Sequence, residues 1–470
     1  MAFGKLAGQK VQSIPTKALR LYEIPYRSPL EVFSNLAECY RYSYLLESVE
    51  GPQNLAEFSF IGFGPEKVIA VKNGKGDILD GKGRTIIKAD DPLEAIKKAV
   101  RANRVLHEGF RLIGGAVGYI SYDAIRYWEN LPSIAIDDLN LPDIEMGIYD
   151  DGIIFDHIRK KAYYYSSSSE TRIDDVKGWL KGWSEAKRGG LRFREPKSNV
   201  CKEDFMESVR KAKRYIFEGD IFQVVLSKRY QFDFNGSLIN FYEALREINP
   251  SPYMYFLKYG DIQIVGSSPE MLVRVDRGQV ETYPIAGTRP RQEDPKKNDL
   301  LAEELLSDPK ERAEHIMLVD LARNDIGRVS DFGSVTVPEF MKVHQYSHVQ
   351  HIVSKVVGRL SPHHDCFDAL RVMLPAGTVS GAPKVRAMEI IEELESRRRG
   401  PYAGAVGYFS YSGNADFAIT IRTLIADENR AYIQVGAGIV ADSNPEREWF
   451  ETEHKAEALM KALDRAGAKI

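Results

Sequence analysis

Short runs of hydrophobic residues, each broken by Gly, Asn or Pro, recur along the chain and predict β-strands. Between them lie segments whose apolar residues repeat at three- and four-residue spacing, at residues 29–40, 92–105 and 202–218 and after Pro445. These segments predict amphipathic helices. Because strands and helices do not alternate regularly, the pattern predicts an α+β fold with largely antiparallel sheets.

The hydrophobic blocks of the first half recur, in the same order, in the second half. YLLESVEG and FIGFGPEKVIAV resemble YMYFLKYGDIQIVGSSPEMLVRV, and GGAVGYISYD resembles AGAVGYFSYS. The second copy carries extra sequence between its blocks. We expect two similar halves produced by duplication, with chance similarity of short glycine-rich strands as the alternative.

A basic stretch at residues 186–200 is nearly devoid of aliphatic side chains and predicts a domain boundary. We therefore expect an N-terminal domain at residues 15–170, a linker at 171–200 and a C-terminal domain at 201–467.

The stretch at residues 307–328 has the signals of a helix start and a helix end. Asp308 is placed as the N-cap before a proline, with Glu311 three residues later. Gly327 is placed to adopt the left-handed conformation that closes a helix. The body is apolar on nearly every side, which predicts a central element. Glu314 lies on an apolar side, where a carboxylate needs a partner, a proton or a metal.

The C-terminal helix repeats this arrangement of carboxylates. Glu448, Glu451 and Lys455 fall on one face, so each helix carries a glutamate pair three residues apart near its N-terminus. If the two helices meet, the four carboxylates would repel one another unless a hard cation such as Mg²⁺ lay between them. The alternative is that each pair simply interacts favourably with the dipole of its own helix.

Composition narrows the classes of function. The chain has 470 residues, of which 43% are hydrophobic, and a net charge of −3, which gives no reason to expect nucleic acid or an anionic membrane as a partner. No apolar run is long enough to span a membrane, and the start lacks the apolar core of a signal peptide. The cysteines, Cys39, Cys201 and Cys366, are scattered, which fits a reducing compartment and argues against zinc. We therefore expect a cytoplasmic enzyme.

Three loops of small residues could present backbone amides to an anion, at residues 286–291, 376–384 and 436–438. None matches a phosphate-loop pattern, so nucleotide binding is not supported. Arg422 is a lone charge in an apolar run and is a candidate for binding a carboxylate, with a solvent-exposed edge position as the alternative. The arginine run at residues 397–399 is expected to form a solvated turn.

Taken together, these motifs resemble those of the chorismate-utilising enzymes, and in particular the large subunit of anthranilate synthase. The resemblance covers nearly the whole chain, and no candidate catalytic position departs from the family pattern. It implies an α+β fold of two similar halves, with large, mostly antiparallel sheets packed together and helices on the outside. It rests on LLES from Leu45, NPSPYM from Asn249, PIAGTRPR from Pro284, AEHIMLVDLARND from Ala313, AGTVSGAPK from Ala376, YAGAVGY from Tyr402, GAGIVADS from Gly436 and the final ETxxK from Glu451.

The resemblance implies an Mg²⁺-dependent lyase that converts chorismate and ammonia into anthranilate and pyruvate, the first step of tryptophan biosynthesis. Glu314 and Glu451 would bind the metal, supported through water by Glu311 and Glu448. The metal would hold the ring carboxylate of chorismate and stabilise charge that develops during bond cleavage.

The resemblance also implies the roles of the other site residues. Glu270 would be the general acid that protonates the departing 4-hydroxyl, which requires a raised pKa. His351 would assist proton transfer in the second step, although a lone histidine on an apolar stripe is more often a core residue. Lys455 would balance charge near the ring carboxylate. The residues expected to contact substrate are Gly287, Thr288, Tyr402, Arg422, Gly436, Ala437 and Gly438.

Two positions distinguish this activity from those of sister enzymes. Aminodeoxychorismate synthases usually carry a lysine where this chain has Ala286, and isochorismate and salicylate synthases use a lysine where it has Gln223. Without a reactive amine or an activated water, ammonia is the expected nucleophile. Aminodeoxychorismate synthase, an enzyme of the folate pathway, is the nearest alternative.

The resemblance further implies a partner and an inhibitor. The family takes ammonia from a glutamine amidotransferase, and no cysteine here lies in a nucleophile motif, so we expect a separate amidotransferase subunit. The LLES and NPSPYM motifs resemble the family's site for feedback inhibition by L-tryptophan, with Glu47, Ser48, Pro252, Tyr253 and Met254 as ligands. The N-terminal domain would therefore contribute the effector site, with two packed strands of purely structural role as the alternative.

Two other classes of function remain to be weighed. A metal-dependent hydrolase could use the same carboxylates, but it would need His or Asp ligands that the motifs do not supply. A tryptophan-binding sensor could keep the fold without catalysis, but Glu314, Glu451 and His351 argue against it.

Overall fold

The computed structural model describes residues 17–49, 57–107, 109–181, 189–345 and 349–469. Strands of the first half are β1 Arg20–Ile24, β2 Tyr42–Glu47, β3 Phe58–Phe63, β4 Lys67–Lys72, β5 Lys75–Asp80, β6 Gly83–Lys88, β7 Gly115–Ile120, β8 Ile144–Tyr149, β9 Asp151–Asp156 and β10 Lys161–Ser166. The helices are α1 Pro29–Cys39, α2 Pro92–Arg101, α3 Ile173–Lys181, α4 Lys202–Phe217, α5 Ile239–Ile248, α6 Pro295–Ser307, α7 Pro309–Gly327, α8 Cys366–Met373, α9 Lys384–Leu394 and α10 Pro445–Ala466.

The remaining strands follow from residue 191 onward. They are β11 Leu191–Phe193, β12 Lys197–Ser198, β13 Gln223–Asn235, β14 Tyr253–Tyr259, β15 Ile262–Ser268, β16 Met271–Asp276, β17 Gln279–Thr282, β18 Ile285–Pro290, β19 Thr336–Gln345, β20 Val349–Arg359, β21 Gly381–Ala382, β22 Ala405–Ser410, β23 Ala415–Ile419, β24 Thr423–Asp427, β25 Arg430–Ile439 and β26 Gly467–Lys469.

These strands form two large, mostly antiparallel sheets, as the sequence pattern predicts. The first sheet has the order β1-β10-β9-β3-β2-β14-β15-β24-β25-β13-β11-β26, with β12 and β21 also paired to β13. The second has the order β18-β20-β17-β16-β23-β22-β7-β8-β4-β5-β6, with β19 paired to β20. Among the pairs between described strands, β11 with β26 is parallel. The fold class is therefore α+β, as expected.

The strand order of each sheet repeats itself about its centre. Outward from the β2·β14 pair, β2, β3, β9, β10 and β1 on one side match β14, β15, β24, β25 and β13 on the other. In the second sheet, β7, β8, β4 and β5 match β22, β23, β16 and β17. This topology supports an old duplication. Because strands of both halves contribute to both sheets, the two segments expected as domains share one framework.

The two sheets face each other across an apolar core. The ring of Tyr44 on β2 makes an edge-to-face contact with that of Tyr149 on β8, at 4.8 Å between centroids. On the other side of the first sheet, helices α1, α5 and α10 pack against it, with Phe33 on α1 5.1 Å from Phe256 on β14. Helices therefore cover the outer face of this sheet, as predicted.

Several local predictions can be compared with the structure. Asp308 caps α7 by accepting hydrogen bonds from the amides of Lys310 and Glu311, as the sequence indicates. Helix α10 begins at Pro445 as expected, and Asn444 caps it by accepting hydrogen bonds from the amides of Glu446 and Arg447. The prediction for Gly327 is wrong, because it lies inside α7 and Arg328 after it is still right-handed. Helix α7 is not surrounded by other elements either, since Ile316 is 40% exposed.

The region expected to be a linker contains α3, β11 and β12, and its residues 182–188 lie outside the described residues. Helix α2 ends at Arg101, earlier than the pattern predicts. No helix among the described residues is long and apolar enough to cross a membrane.

Candidate active site

The glutamates of α7 and α10 affect one another's ionisation. Burial raises the pKa of Glu314 on α7, and the negative charges of Glu311 and of Glu451 on α10 raise it further. Burial and the charge of Glu451 raise the pKa of Glu448 on α10, and the positive charge of Lys310 on α7 lowers it. The two glutamate pairs therefore lie within range of each other's charge. Direct contact between the two helices stays a prediction.

Lys455 connects this carboxylate cluster to the first sheet. Its ammonium group lies 2.8 Å from Glu451 Oε1, one turn earlier on α10, and donates a hydrogen bond of 2.9 Å to the carbonyl oxygen of Gly436 on β25. Its positive charge lowers the pKa of Glu314 and of Glu270. Lys455 is thus close to the glutamates, to the strand β25 and to Glu270.

The glutamates of α7 and α10 are the candidate metal ligands. The described residues contain no group of three or more His, Cys, Asp or Glu side chains placed to hold a metal ion by themselves. However, Glu448 Oε2 is buried and has no hydrogen-bond partner in the part of the chain that the structure describes. Mg²⁺ commonly takes one or two protein carboxylates, with waters and substrate oxygens completing its shell. The donor set at Glu314 and Glu451 fits such an ion.

Glu270 occupies a half-buried position at the turn between β15 and β16. The pKa of Glu270 is raised from 4.5 to about 7, because the effect of burial exceeds two opposing effects. The hydrogen bond from Thr378 and the charge of Lys455 both lower this pKa. Thr378 Oγ1 donates to Glu270 Oε1 at 2.7 Å. A carboxyl group with this pKa is partly protonated near neutral pH and can act as a general acid.

His351 lies on β20 beside the bulge that interrupts β18. Its Nδ1 is 2.8 Å from the carbonyl oxygen of Gly287 and 3.1 Å from Thr288 Oγ1. Because a carbonyl oxygen can only accept, Nδ1 carries the proton and Nε2 is left as the basic nitrogen of the neutral ring. Burial lowers the pKa of His351, with Arg422 contributing in the same direction, which favours the neutral form.

Gly287 cannot be replaced without disturbing this arrangement. It has a φ of 67°, and a Cβ atom there would lie 2.9 Å from Glu311 Oε2. Glu311 also forms an ion pair of 3.5 Å with Arg289. The bulge therefore brings the backbone of β18 between the histidine and the glutamates of α7.

Arg422 lies in the turn between β23 and β24 rather than in a strand. Its φ is 52°, and its Nη1 donates a 2.9 Å hydrogen bond to the carbonyl oxygen of Lys455. The residue is half-buried, and burial lowers its pKa. It lies in a turn, so it does not occupy the solvent-exposed strand edge that was the alternative. A half-buried guanidinium group is suited to binding a carboxylate.

Tyr402 and the GAG segment of β25 lie beside one another. A Cβ atom on Gly436 would be 2.7 Å from the Tyr402 hydroxyl, and one on Gly438 would be 2.9 Å from Gln223 Nε2. Burial raises the pKa of Tyr402 to about 12. The side chain of Ala437 packs in a separate apolar cluster with Leu226 and Ala387, so only its backbone can face the site.

The structure thus gathers most of the expected catalytic residues into one region. Lys455 interacts with Glu270, Glu314 and Glu451, and Arg422 interacts with both Lys455 and His351. The elements that meet here are α7, α10 and β25 with the bulged strand β18 and its neighbour β20.

Three contacts at the site were not foreseen from the sequence. Thr378 holds Glu270, as described above. Lys384 Nζ forms a buried ion pair of 2.6 Å with Asp325, which joins the start of α9 to the end of α7. Both residues lie inside motifs that the sequence had singled out, but nothing in the spacing paired them. Gly377 also packs against α7, since a Cβ atom there would lie 2.2 Å from Leu321 Cδ2.

The arginine run at residues 397–399 is not a solvated turn. Arg399 is 1% exposed and donates hydrogen bonds of 2.9 Å to Glu395 Oε2 and of 2.7 Å to the carbonyl oxygens of Val379 and Val225. A buried guanidinium with this many partners has a structural role. It supports the backbone on either side of the loop that carries Thr378.

The residues expected to bind an effector lie together at a second location. Strands β2 and β14 are neighbours, and Met254 is paired with Glu47. Glu47, Ser48, Pro252, Tyr253 and Met254 all line one cavity of about 70 Å³. Ligand pockets are typically about 300–1,000 Å³, so its walls would have to move to admit a ligand as large as tryptophan.

Two polar side chains of this cavity, Glu47 and Ser48, differ in their hydrogen bonding. Glu47 is buried and accepts a 2.8 Å hydrogen bond from the Tyr242 hydroxyl, and Arg246 Nε lies 3.3 Å from it. Burial nevertheless raises the pKa of Glu47. Ser48 Oγ is buried without a hydrogen-bond partner among the residues described. An unpaired buried hydroxyl is a candidate for contact with a ligand.

The fold and the cluster around Lys455 define a chorismate-binding enzyme. The sequence model described as "chorismate binding enzyme" matches residues 41–461, nearly the whole chain. The chain therefore belongs to the chorismate-binding enzyme family, and within it to the anthranilate synthase component 1 group.

Relatives support this placement. The chain is 48% identical to anthranilate synthase component 1 of Methanothermobacter marburgensis, over 96% of each chain. It is 45% identical to that of Aquifex aeolicus, over 93% of this chain and 92% of the relative.

Solved structures agree with the fold. The crystal structure of anthranilate synthase component I from Streptococcus pneumoniae TIGR4 has a TM-score of 0.79 and 39% identity, covering 87% of this chain and 93% of that one. The menaquinone-specific isochorismate synthase of Escherichia coli has a TM-score of 0.71 over 96% of each chain. At 20% identity, the latter shows a shared fold alone.

Proposed function

We propose that this enzyme converts chorismate and ammonia into anthranilate and pyruvate in the presence of Mg²⁺. The single observation that carries the proposal is the carboxyl group of Glu270, which accepts a hydrogen bond from Thr378 and whose pKa is raised to about 7 by desolvation. Such a group can donate a proton near neutral pH, which departure of a hydroxyl group as water requires.

In the first step, Glu270 donates its proton to the 4-hydroxyl of chorismate as the C4–O bond breaks and water leaves. Ammonia forms a bond to C2 as the ring double bonds shift, and Glu270 is left as the carboxylate. The nearby charge of Lys455 stabilises that carboxylate. Loss of one proton from the added ammonium gives a neutral amine.

In the second step, the C2 proton is removed and the ether bond at C3 breaks, so that the ring becomes aromatic and the enolate of pyruvate leaves. The enolate takes up one proton, which replaces the one lost from C2, and becomes pyruvate. His351 suits the role of base. Its Nδ1 keeps the ring proton in a hydrogen bond to the carbonyl oxygen of Gly287, so that Nε2 is the unprotonated, basic nitrogen. Burial keeps the imidazole neutral by lowering its pKa.

The remaining residues position the substrate. We assign the enolpyruvyl carboxylate to Arg422, Tyr402 and the backbone of residues 436–438, and backbone contacts to Gly287 and Thr288. Glu314 and Glu451 would hold Mg²⁺, with Glu311 and Glu448 supporting it through water. When bound, the metal would supply positive charge that orients and stabilises the ring carboxylate.

The choice of nucleophile rests on Ala286 and Gln223. Ala286 is buried on β18 and offers a methyl group rather than an amine. Gln223 is also buried, and its amide lies beside Gly438 instead of a lysine that could activate water. Ala286 favours anthranilate formation over the aminodeoxychorismate synthase activity that is the nearest alternative, and Gln223 favours it over the addition of water.

The proposal includes a cytoplasmic enzyme that receives ammonia from a separate glutamine amidotransferase subunit and is inhibited by L-tryptophan. The name "component 1" of its relatives supports a second component. The cavity around Ser48 and Tyr253 supports an effector site.

The decisive experiment is a fluorescence assay with chorismate, Mg²⁺ and ammonium at raised pH, where more NH₃ is present. We expect growth of anthranilate fluorescence together with stoichiometric pyruvate. A 4-amino product without pyruvate would identify aminodeoxychorismate synthase instead. Stable chorismate in this mixture would rule out both activities.

A further inference from the structure

Four charged side chains of alternating sign form a row across the second sheet. The row runs from Asp416 on β23 through Arg274 on β16 and Glu281 on β17 to Lys355 on β20, and these four strands are consecutive neighbours. Arg274 Nη2 lies 2.7 Å from Asp416 Oδ2, Arg274 Nη1 lies 3.5 Å from Glu281 Oε1, and Lys355 Nζ lies 2.7 Å from Glu281 Oε2.

The register of the strands places the whole row on one face. Arg274 is directly opposite both Asp416 and Glu281, and Glu281 is opposite Val357. Lys355 is two residues from Val357 and therefore points to the same side. Asp416, Arg274 and Glu281 are buried. Charges of this kind interact far more strongly than exposed pairs, because little water screens them.

One end of the row forms a wall of the cavity around Ser48. The Tyr253 hydroxyl donates to Asp416 Oδ1 at 3.0 Å and accepts from Arg274 Nη2 at 3.1 Å. Tyr253, Arg274 and Asp416 all line this cavity.

The strand at the other end of the row, β20, also carries His351 of the candidate active site. His351, Val353 and Lys355 alternate along β20, so their side chains point to the same face. A second cavity, of about 310 Å³, is lined by Tyr253, Arg274, Glu281, Val353 and Lys355. The empty volume of this second cavity allows the charged side chains of the row to move.

We propose that this charge row couples the effector cavity to the active site, so that a ligand beside Tyr253 and Arg274 changes the position of β20 and with it of His351. The inference rests on the proposed function and names the path of its regulation. The cavity of about 70 Å³ is too small for an aromatic amino acid, so binding displaces its walls.

The ion pairs of Arg274 and Glu281 connect the effector cavity to β20. Arg274 divides its donors among Asp416, Glu281 and Tyr253. A ligand that moves the guanidinium alters its pairing with Glu281, and the partner of Glu281 on the active-site strand is Lys355. A ligand can shift an equilibrium only through contacts that differ between two states, and these ion pairs supply that difference.

The test compares Lys355→Met and Glu281→Gln with the wild type in the full-length protein. For each, anthranilate formation is measured with ammonium while L-tryptophan is varied, and binding of labelled L-tryptophan is measured by equilibrium dialysis with and without chorismate. Lys342→Met is the matched control, because its ion pair of 3.3 Å with Glu339 lies on β19, next to β20 but outside the row.

We expect both variants to bind L-tryptophan within about threefold of the wild type while inhibition weakens at least about tenfold. The activity of each variant without L-tryptophan should stay within about twofold of the wild-type activity. Linkage requires that chorismate weaken tryptophan binding to the wild type, and this effect should disappear in Lys355→Met. The double variant should lose no more coupling than either single one.

Three outcomes would overturn the inference: inhibition of both variants at wild-type concentrations, loss of inhibition in proportion to loss of binding, or a wild type that tryptophan does not inhibit. None of these affects the catalytic proposal, which fails separately if the wild type forms no anthranilate. In that case the dialysis experiment still measures the coupling. Urea unfolding of each variant shows that the measured protein is folded.

Discussion

Thr378 Oγ1 donates a 2.7 Å hydrogen bond to Glu270 Oε1, and this contact joins a loop next to α9 to the turn that carries the candidate acid. One carboxyl oxygen is therefore fixed, and the charge of Lys455 lowers the pKa of the same group. The acid is thus controlled by two residues far along the chain from it, Thr378 108 residues later and Lys455 185 residues later.

The first prediction concerns Glu270→Gln. It should lower kcat by about 10²–10⁴-fold with either ammonium or glutamine plus the partner subunit, because the amide cannot donate the required proton. Anthranilate fluorescence measures the effect. An unchanged kcat would remove Glu270 from the mechanism.

Stability provides the control for this variant. The folded protein retains the Glu270 proton up to a pKa of about 7, whereas an unfolded chain releases it near 4.5. Stability is therefore lost as the pH rises between these values, by about 3 kcal/mol in the limit. Glu270→Gln should be more resistant to urea than the wild type at pH 8 but not at pH 4.

A second prediction follows from the hydrogen bond that Thr378 supplies. The bond favours the carboxylate, so Thr378→Val should raise the pKa of Glu270. Since the protonated acid is active, the alkaline limb of the kcat/KM profile should move to higher pH. Thr282→Val, which removes a comparable bond of 2.9 Å to Leu272, should leave that limb in place.

The third prediction tests the metal site. Glu314→Gln should abolish activity at ordinary Mg²⁺ concentrations and shift the Mg²⁺ dependence of both activity and thermal stability to higher concentrations, because a carboxylate ligand becomes neutral. Asp320→Asn on the exposed side of the same helix is the control, since its ion pair with Arg323 faces solvent. Normal turnover by Glu314→Gln would exclude Glu314 as a ligand.

The fourth prediction concerns the effector cavity. Ser48→Phe should fill it, leaving an enzyme that tryptophan no longer inhibits, at a stability cost of about 1–3 kcal/mol for overpacking. Steady-state assays with and without L-tryptophan measure this. If inhibition persists unchanged, the effector binds elsewhere.

A fifth prediction concerns the ion pair between Lys384 and Asp325. Lys384→Met leaves a buried carboxylate without its partner and should lower the free energy of unfolding by about 3–5 kcal/mol, as measured in urea. Adding Asp325→Asn should restore part of that loss. The exposed pair of Asp320 and Arg323 offers the contrast, since Arg323→Met should cost less than about 1 kcal/mol.

Local sequence signals predicted the helices of the site well. The caps of α7 and α10 and the positions of Glu314 and Glu451 depend on spacing within one helix, which a sequence displays directly. The predicted left-handed conformation of Gly327 at the end of α7 was wrong, because a glycine permits that conformation without requiring it.

Contacts between distant segments were beyond such signals. The arginine run looked like a solvated turn, yet Arg399 is buried among carbonyl groups of two other segments. The charge row across the second sheet depends on strand register, which in one case pairs residues as distant in the chain as Arg274 and Asp416, 142 residues apart. Only the family resemblance brought the distant site residues together before the structure did.

The repeated strand order has a consequence for how the protein is made. During synthesis the first half emerges alone, with β2 and β7 as open sheet edges whose partners β14 and β22 have not yet been translated. Exposed edges of this kind can pair with other chains. A nascent chain thus passes through a vulnerable interval, and a polypeptide truncated near residue 200 should aggregate rather than persist as a folded half.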